Sequence, residues 1–223
     1  MVDLARAHCW ILGVVGWLDL AVDDAPQRVS ERACDPLFVG VRPMLQDLTE
    51  RTWILKPEVR AGIEAVQKSA LVFDALVHAD QLGAIALLAD RHSSLTIVLD
   101  HAGKPPFGSV SALAAWRSQM FRLAAHANVA CKLSGLFSEL RGLSVDDTVD
   151  PCIDLLLDLF GPERLLWGSD WPVAADAVGY SDWLMRCRGR VEARFSSHHA
   201  AIFGGNARRL YRLGLNRREL VHR

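Results

Sequence analysis

The sequence predicts an α/β fold of the (β/α)8-barrel type, carried in 223 residues as about six βα units. Three observations lead there. Six short apolar runs alternate with segments of helical length and amphipathic pattern, which is the signature of a parallel sheet with buried strands. Polar residues finish many of the successive runs: Arg42, His78, His101, Lys132 and Asp170. A barrel recruits its chemistry from many strand ends, whereas a doubly wound sheet uses one switch point. No glycine-rich dinucleotide fingerprint and no Walker-type loop is present.

The elements follow in order. Residues 3–7 read as the last turns of a helix, and 11–17 as a buried strand with Trp17 in the core, closed by Asp19. A short polar helix at 26–33 leads to a strand at 37–44 that ends with Arg42. Residues 56–69 form a helix with Pro57 in its first turn and Ile63, Val66 and Ala70 as its apolar stripe. The run 71–78 is a strand ending in His78, and Asp80 caps the helix 81–91. Residues 95–99 are β-branched and apolar; Asp100 and His101 follow at once, and Gly103 and Pro105 break the chain. An amphipathic helix at 111–127 precedes the strand 129–135, which carries Cys131 and Lys132. A helix at 149–160 stops at Gly161-Pro162, and the strand 165–168 runs into Ser169-Asp170-Trp171-Pro172. Helices at 181–190 and 191–203 come next, and a last short one at 207–213. Residues 1–223 read as one domain.

Composition narrows the function. Lys plus Arg number 25 against 26 Asp plus Glu, so nothing favours a nucleic-acid backbone as partner. No apolar run approaches the ~20 residues of a membrane span, and the first ten residues hold no secretion signal, so a cytoplasmic setting is expected. Arg208, Arg209, Arg212, Arg217, Arg218 and Arg223 read as a solvated terminal helix with a basic tail. The five cysteines show no CxxC pattern and suit reduced, mostly buried thiols.

A full barrel takes ~250 residues, or ~31 per unit, so two units, ~60 residues, are expected to be missing from the front. The first and last strands would then be open edges, and self-association as a homo-oligomer is the expected way to cover them.

The motifs GVVGWLDL (13–20), GVRPMLQD (40–47), FDALVH (73–78), VLDHAGKP (98–105), CKLSGL (131–136) and LLWGSDWPV (165–173), with IFGGNARRLY (202–211) at the end, resemble the amidohydrolase-related sugar lactonases, the L-fuconolactonase- and L-rhamnono-1,4-lactonase-like group. The resemblance spans nearly the whole chain in the right order. It implies a distorted (β/α)8 barrel that hydrolyses a small-molecule lactone with a divalent metal, zinc foremost. Asp170 matches the family's last-strand carboxylate, a general base and a metal or water ligand. His101 matches the sixth-strand histidine, a catalytic residue and a second metal candidate. His78 matches the end of the fifth strand as a ligand or substrate contact, and Arg42 is placed to bind a substrate carboxylate or hydroxyl. The family's first strand normally ends in His-x-His, and the eight histidines here contain none. That motif belongs to the strands the count finds absent, so the implied metal site is incomplete.

The residues themselves fit that chemistry. Asp170 can take a proton from water, and packing between Trp167 and Trp171 would raise its pKa; its rival role is to cap the following turn. Adjacent residues of a regular strand point to opposite faces, so His101 is the site residue and Asp100 structural. Trp171 is a candidate wall of the sugar pocket. Lys132 is a substrate-binding candidate whose stem alone could serve packing, and Arg42 could instead pair with a loop carboxylate. His8, His92, His126, His198, His199 and His222 read as surface residues. Two functions follow: a hydrolase of a sugar-acid lactone, or a catalytically inactive remnant of such a barrel that acts through oligomerisation. A phosphate-handling barrel is the weaker third, because Asp-Trp-Pro stands where a phosphate loop would.

Overall fold

Six parallel strands form one sheet in the order β1 to β6, curled as an open half-barrel with the helices on its outer side. The computed structural model describes residues 1–140, 142–176 and 178–214; the predicted tail residues Arg217, Arg218, His222 and Arg223 lie outside these. The strands are β1 (Val14–Gly16), β2 (Phe38–Val41), β3 (Val72–Ala75), β4 (Ile97–Leu99), β5 (Val129–Leu133) and β6 (Leu165–Trp167). Each is shorter than its apolar run, because only the segment facing both neighbours keeps the ladder while the flanks bend into loops. Among the described residues β1 pairs only with β2 and β6 only with β5, so both edges are open.

The helices are α1 (Val2–Ala7), α2 (Ala25–Ala33), α3 (Pro57–Lys68), α4 (Leu82–Arg91), α5 (Val110–Ala124), α6 (Val145–Phe160), α7 (Tyr180–Phe195) and α8 (Asn206–Leu210). Ser109 caps α5, its hydroxyl accepting from the Ala112 N–H at 3.3 Å. Three expectations change. Asp80 does not cap α4; it lies in a 3₁₀ turn, Ala79–Gln81, and pairs with Arg51 at 2.9 Å. The break expected at 190–191 is absent, since α7 runs through to Phe195 before a 3₁₀ turn and a π-turn, Ala201–Gly205. Helix α6 begins at Val145, four residues before the expected start at 149, and carries Pro151 inside it.

Asp150, Asp154 and Asp158 on α6 meet Arg186, Arg190 and Arg194 on α7, one pair per turn. Four-residue spacing keeps each set on one helix face, and the ladder docks α7 beside β6.

The apolar side chains sort by strand parity. One set packs outward against the helices. The other faces the concave side, where Val39, Val72, Val98, Ala130 and Leu166 gather round Tyr211 from the turn after α8. Carried two residues further along β3, β4 and β5, this parity brings Asp74, Asp100 and Lys132 to the same hollow. Trp17, expected in the core, is 63% exposed, because β1 ends at Gly16 and no described neighbour lies on its far side. No helix among the described residues is long and apolar enough to cross a membrane.

Candidate active site

The site begins where β4 stops. Beyond Leu99 the backbone turns into Asp100–Gly103, with φ of 50° at His101, 51° at Ala102, 63° at Gly103 and 51° at Lys104. Left-handed backbone costs a non-glycine residue roughly 1–2 kcal/mol, so this turn holds its shape through its surroundings. Gly103 admits nothing larger, since a Cβ there would lie 2.6 Å from Leu82 Cδ2. The turn ends the strand's alternation and brings Asp100 and His101 to the same side. The rule that separated them holds only within a strand, and the strand has ended.

His101 is seated by the end of β5. Its Nδ1 lies 3.0 Å from Ser134 Oγ, and its ring covers Gly135, where a Cβ would fall 2.7 Å from His101 Cβ, Cγ and Nδ1. Its Nε2 faces Asp170 Oδ1 at 3.5 Å. Asp170 takes a left-handed φ of 54° just after β6. Its turn is fastened by the Trp183 indole N–H of α7, which donates to Gly168 O at 2.9 Å, and by the Ala174 N–H, which donates to Asp170 O at 3.0 Å. Burial holds the His101 imidazole below its ordinary pKa, against the pull of Asp100 and Asp170. Burial also raises the Asp170 carboxyl, opposed by His101 and Lys104. The two tryptophans do not sandwich Asp170: Trp167 packs against Tyr180 and Phe203, and Trp171 is 74% exposed.

Beneath this pair lies a buried ionic cluster. Lys132 Nζ is 2.5 Å from Asp74 Oδ2 and 2.6 Å from Asp100 Oδ1. The Tyr211 hydroxyl donates to Asp74 Oδ1 at 2.7 Å, and Arg42 Nη1 reaches Asp100 Oδ2 at 3.4 Å. Burial pushes Asp74 up to about 6, although Lys132 and Tyr211 oppose it. Asp100 is equally buried, yet Lys132, His101 and Arg42 together hold it below the usual carboxylate range. Burial disfavours the Lys132 charge, but its two carboxylates outweigh that and hold it well above its ordinary value.

The predicted residues therefore separate. His101 and Asp170 come together at the mouth. Arg42 and Lys132 meet through Asp100, a residue set aside as structural. The Lys132 ammonium is taken up by two carboxylates, so its place is under the site and not against a substrate. The Arg42 side chain remains 41% exposed above Asp100. His78 lies apart, on a cleft of about 710 Å³ between α4 and α5. Asp74, Ser134, Gly135 and Tyr211 were not singled out. One signal was available: an Asp inside the apolar run of β3 and a Lys inside that of β5 are opposite charges in buried strands, and these must pair.

The imidazole nitrogen of His101 and the carboxyl oxygen of Asp170, 3.5 Å apart, match the separation of about 3.3 Å that two zinc ligands at ~2.0 Å subtend at the tetrahedral angle. The two donors fit part of a zinc site. No group of three or more His, Cys, Asp or Glu suited to a metal stands among the described residues.

A family model described as amidohydrolase matches residues 1–213. The chain belongs to the amidohydrolase family. Among its relatives is the L-fucono-1,5-lactonase of Burkholderia ambifaria, 43% identical over 96% of this chain and 74% of the relative. The L-fucono-1,5-lactonase of Burkholderia multivorans is 38% identical over 96% of this chain and 75% of its own. A crystal structure of a Burkholderia multivorans amidohydrolase with bound zinc superposes with a TM-score of 0.88 at 38% identity, covering 95% of this chain and 77% of that one. A probable 2-pyrone-4,6-dicarboxylic acid hydrolase from Acinetobacter baumannii, at TM-score 0.74 and 18% identity over 96% of this chain and 78% of its own, shares the fold. In this amidohydrolase, then, the fold is six βα units of an incomplete (β/α) barrel, and the paired His101 and Asp170 sit at its strand ends.

Proposed function

We propose that this amidohydrolase opens a sugar-acid lactone by adding water across its ester bond, with Asp170 as general base. The observation that carries the reading is the His101–Asp170 pair, 3.5 Å apart, each residue on a left-handed backbone just after β4 and β6. Identity of 43% to an L-fucono-1,5-lactonase supports the substrate class.

Asp170 draws a proton from a water poised over the lactone carbonyl, and the water oxygen bonds to the carbonyl carbon. The tetrahedral adduct then expels the ring oxygen, and the proton held on Asp170 passes to it. The products are a carboxylic acid and a freed hydroxyl. His101 orients the Asp170 carboxylate, while Ser134 and Gly135 fix the ring. Arg42, steadied by Asp100, offers its guanidinium to a substrate hydroxyl or to the carbonyl oxygen. His101 and Asp170 would hold a zinc ion, and such an ion polarises the carbonyl and acidifies water when bound; the zinc bound in the Burkholderia multivorans neighbour supports zinc as the metal. Trp171 lines the approach, and residues 1–223 act as one domain in the cytoplasm.

Proton release from L-fucono-1,5-lactone tests the reading, measured with and without added zinc. Hydrolysis above the spontaneous rate, lost in Asp170→Asn, is expected. A rate equal to the spontaneous one under both conditions overturns it.

A second reading rests on the two open sheet edges and on Trp10, Leu12 and Trp17, all exposed near β1. A chain without turnover would then act through association with another copy. Sedimentation separates the two: an inactive oligomer favours this reading, and an active monomer removes it.

A further inference from the structure

The cleft holding His78 takes no part in the mechanism above. It lies between α4 and α5, walled by Phe107 and Trp116 and lined by Lys104, Glu139 and Gln119. Its volume of about 710 Å³ lies within the ~300–1,000 Å³ of small-molecule sites. Lys104 joins it to the catalytic pair. It stands three residues after His101, on the same left-handed turn, and its charge acts on both His101 and Asp170.

Three polar groups of the cleft lack side-chain partners among the described residues. Gln119 Oε1 is buried and accepts no hydrogen bond, although leaving such a group unpaired costs about 1–3 kcal/mol. Lys104 and Glu139 are half-buried, and neither forms an ion pair or a side-chain hydrogen bond among the described residues. Arg51 and Asp80, by contrast, neutralise each other at the rim. What remains is an acceptor amide, an acceptor carboxylate and a donor ammonium around aromatic walls. A carboxylate ligand would satisfy Lys104 but repel Glu139 and leave Gln119 Oε1 unfilled. Hydroxyl groups both donate and accept, so a polyol meets all three. The cleft also offers more room than the ring of one hexonolactone fills.

We infer that this cleft is a subsite for a polyhydroxylated extension of the substrate, a polyol chain or second sugar ring reaching outward from the lactone at His101 and Asp170. This rests on the proposed lactone chemistry for its direction, while the binding itself does not need turnover. Gln119 and Glu139 accept from the extension's hydroxyls, and Lys104 donates where extension and lactone meet.

The test is calorimetric binding of lactobionate, the acid of a disaccharide, against L-fuconate, using the full chain. Lactobionate is expected to bind about tenfold more tightly, the gain of one to two added hydrogen bonds. Gln119→Leu and Glu139→Gln should each remove most of that advantage and leave L-fuconate binding unchanged. Equal affinity for the two acids, or an advantage that survives both substitutions, overturns the subsite. Turnover of L-fucono-1,5-lactone by the unsubstituted chain, measured beside the binding, keeps the two ideas apart. If no lactone is hydrolysed but lactobionate still binds through Gln119, the subsite stands and the lactonase reading falls. If L-fucono-1,5-lactone is hydrolysed and lactobionate gains nothing, the reverse holds.

Discussion

Tyr211, beyond the last helix, donates its hydroxyl to Asp74 Oδ1 at 2.7 Å inside the half-barrel, on the face opposite the outer helices. This contact ties the end of the described chain to the third strand and closes the hollow beneath the mouth. It also leaves Asp74 among apolar side chains, with Tyr211 and Lys132 to answer its charge.

The raised pKa of Asp74 makes stability depend on pH. Its carboxyl ionises near 6 in the folded chain and near 3.8, the ordinary aspartate value, when unfolded. A raised acid stabilises the fold below the unfolded pKa, and that stability is lost as pH climbs through the folded one. The stability of wild type relative to Asp74→Asn should therefore fall by roughly 1 kcal/mol between pH 5 and pH 7.5. Urea unfolding at the two pH values measures this, and a constant difference would refute it.

Lys132 neutralises two buried carboxylates, so its removal is severe. Lys132→Met should cost about 3–5 kcal/mol by leaving charges without a partner. Adding Asp74→Asn should recover part of the loss, because one of those charges is then gone. A loss below about 1 kcal/mol in the single variant would mean that water reaches the cluster and screens it.

Asp170→Asn should reduce turnover by at least ~100-fold, the scale of general-base catalysis. Asparagine adopts the left-handed backbone readily, so the turn at φ 54° and the melting temperature should both be kept. Near-normal turnover in a folded variant removes Asp170 from its role.

Gly135→Ala tests the seat of His101. The new methyl would meet the histidine at 2.7 Å, on a backbone with φ of 67°. Displacing a reacting group by about 1 Å costs on the order of 100-fold in rate. The variant should lose turnover on that scale while its urea midpoint moves by the equivalent of only about 1–2 kcal/mol. Unchanged kinetics would show that His101 acts without its support from β5.

The alternation of apolar runs and amphipathic segments, read along the chain, was enough for the parallel sheet, its six strands and the helices between them. Arg42, His101 and Asp170 were legible for the same local reason: each is a polar residue placed where an apolar run stops. Boundaries were less so. Helix α7 passes through 190–191 because Arg190 and Arg194 pair with Asp154 and Asp158 of another helix, which local propensity does not register.

The sequence by itself determined the class of fold and the positions at strand ends from which chemistry could come. Only the tertiary structure decided that Asp100 and His101 share a side, that Lys132 lies under the site, and that Asp74, Ser134, Gly135 and Tyr211 belong to it. Periodicity is a property of neighbours along the chain, and it states which face a residue occupies. Which residue answers it across that face depends on sheet register, on the curl that brings non-adjacent strands together, and on a left-handed turn that breaks the period. These are set by packing over the whole chain.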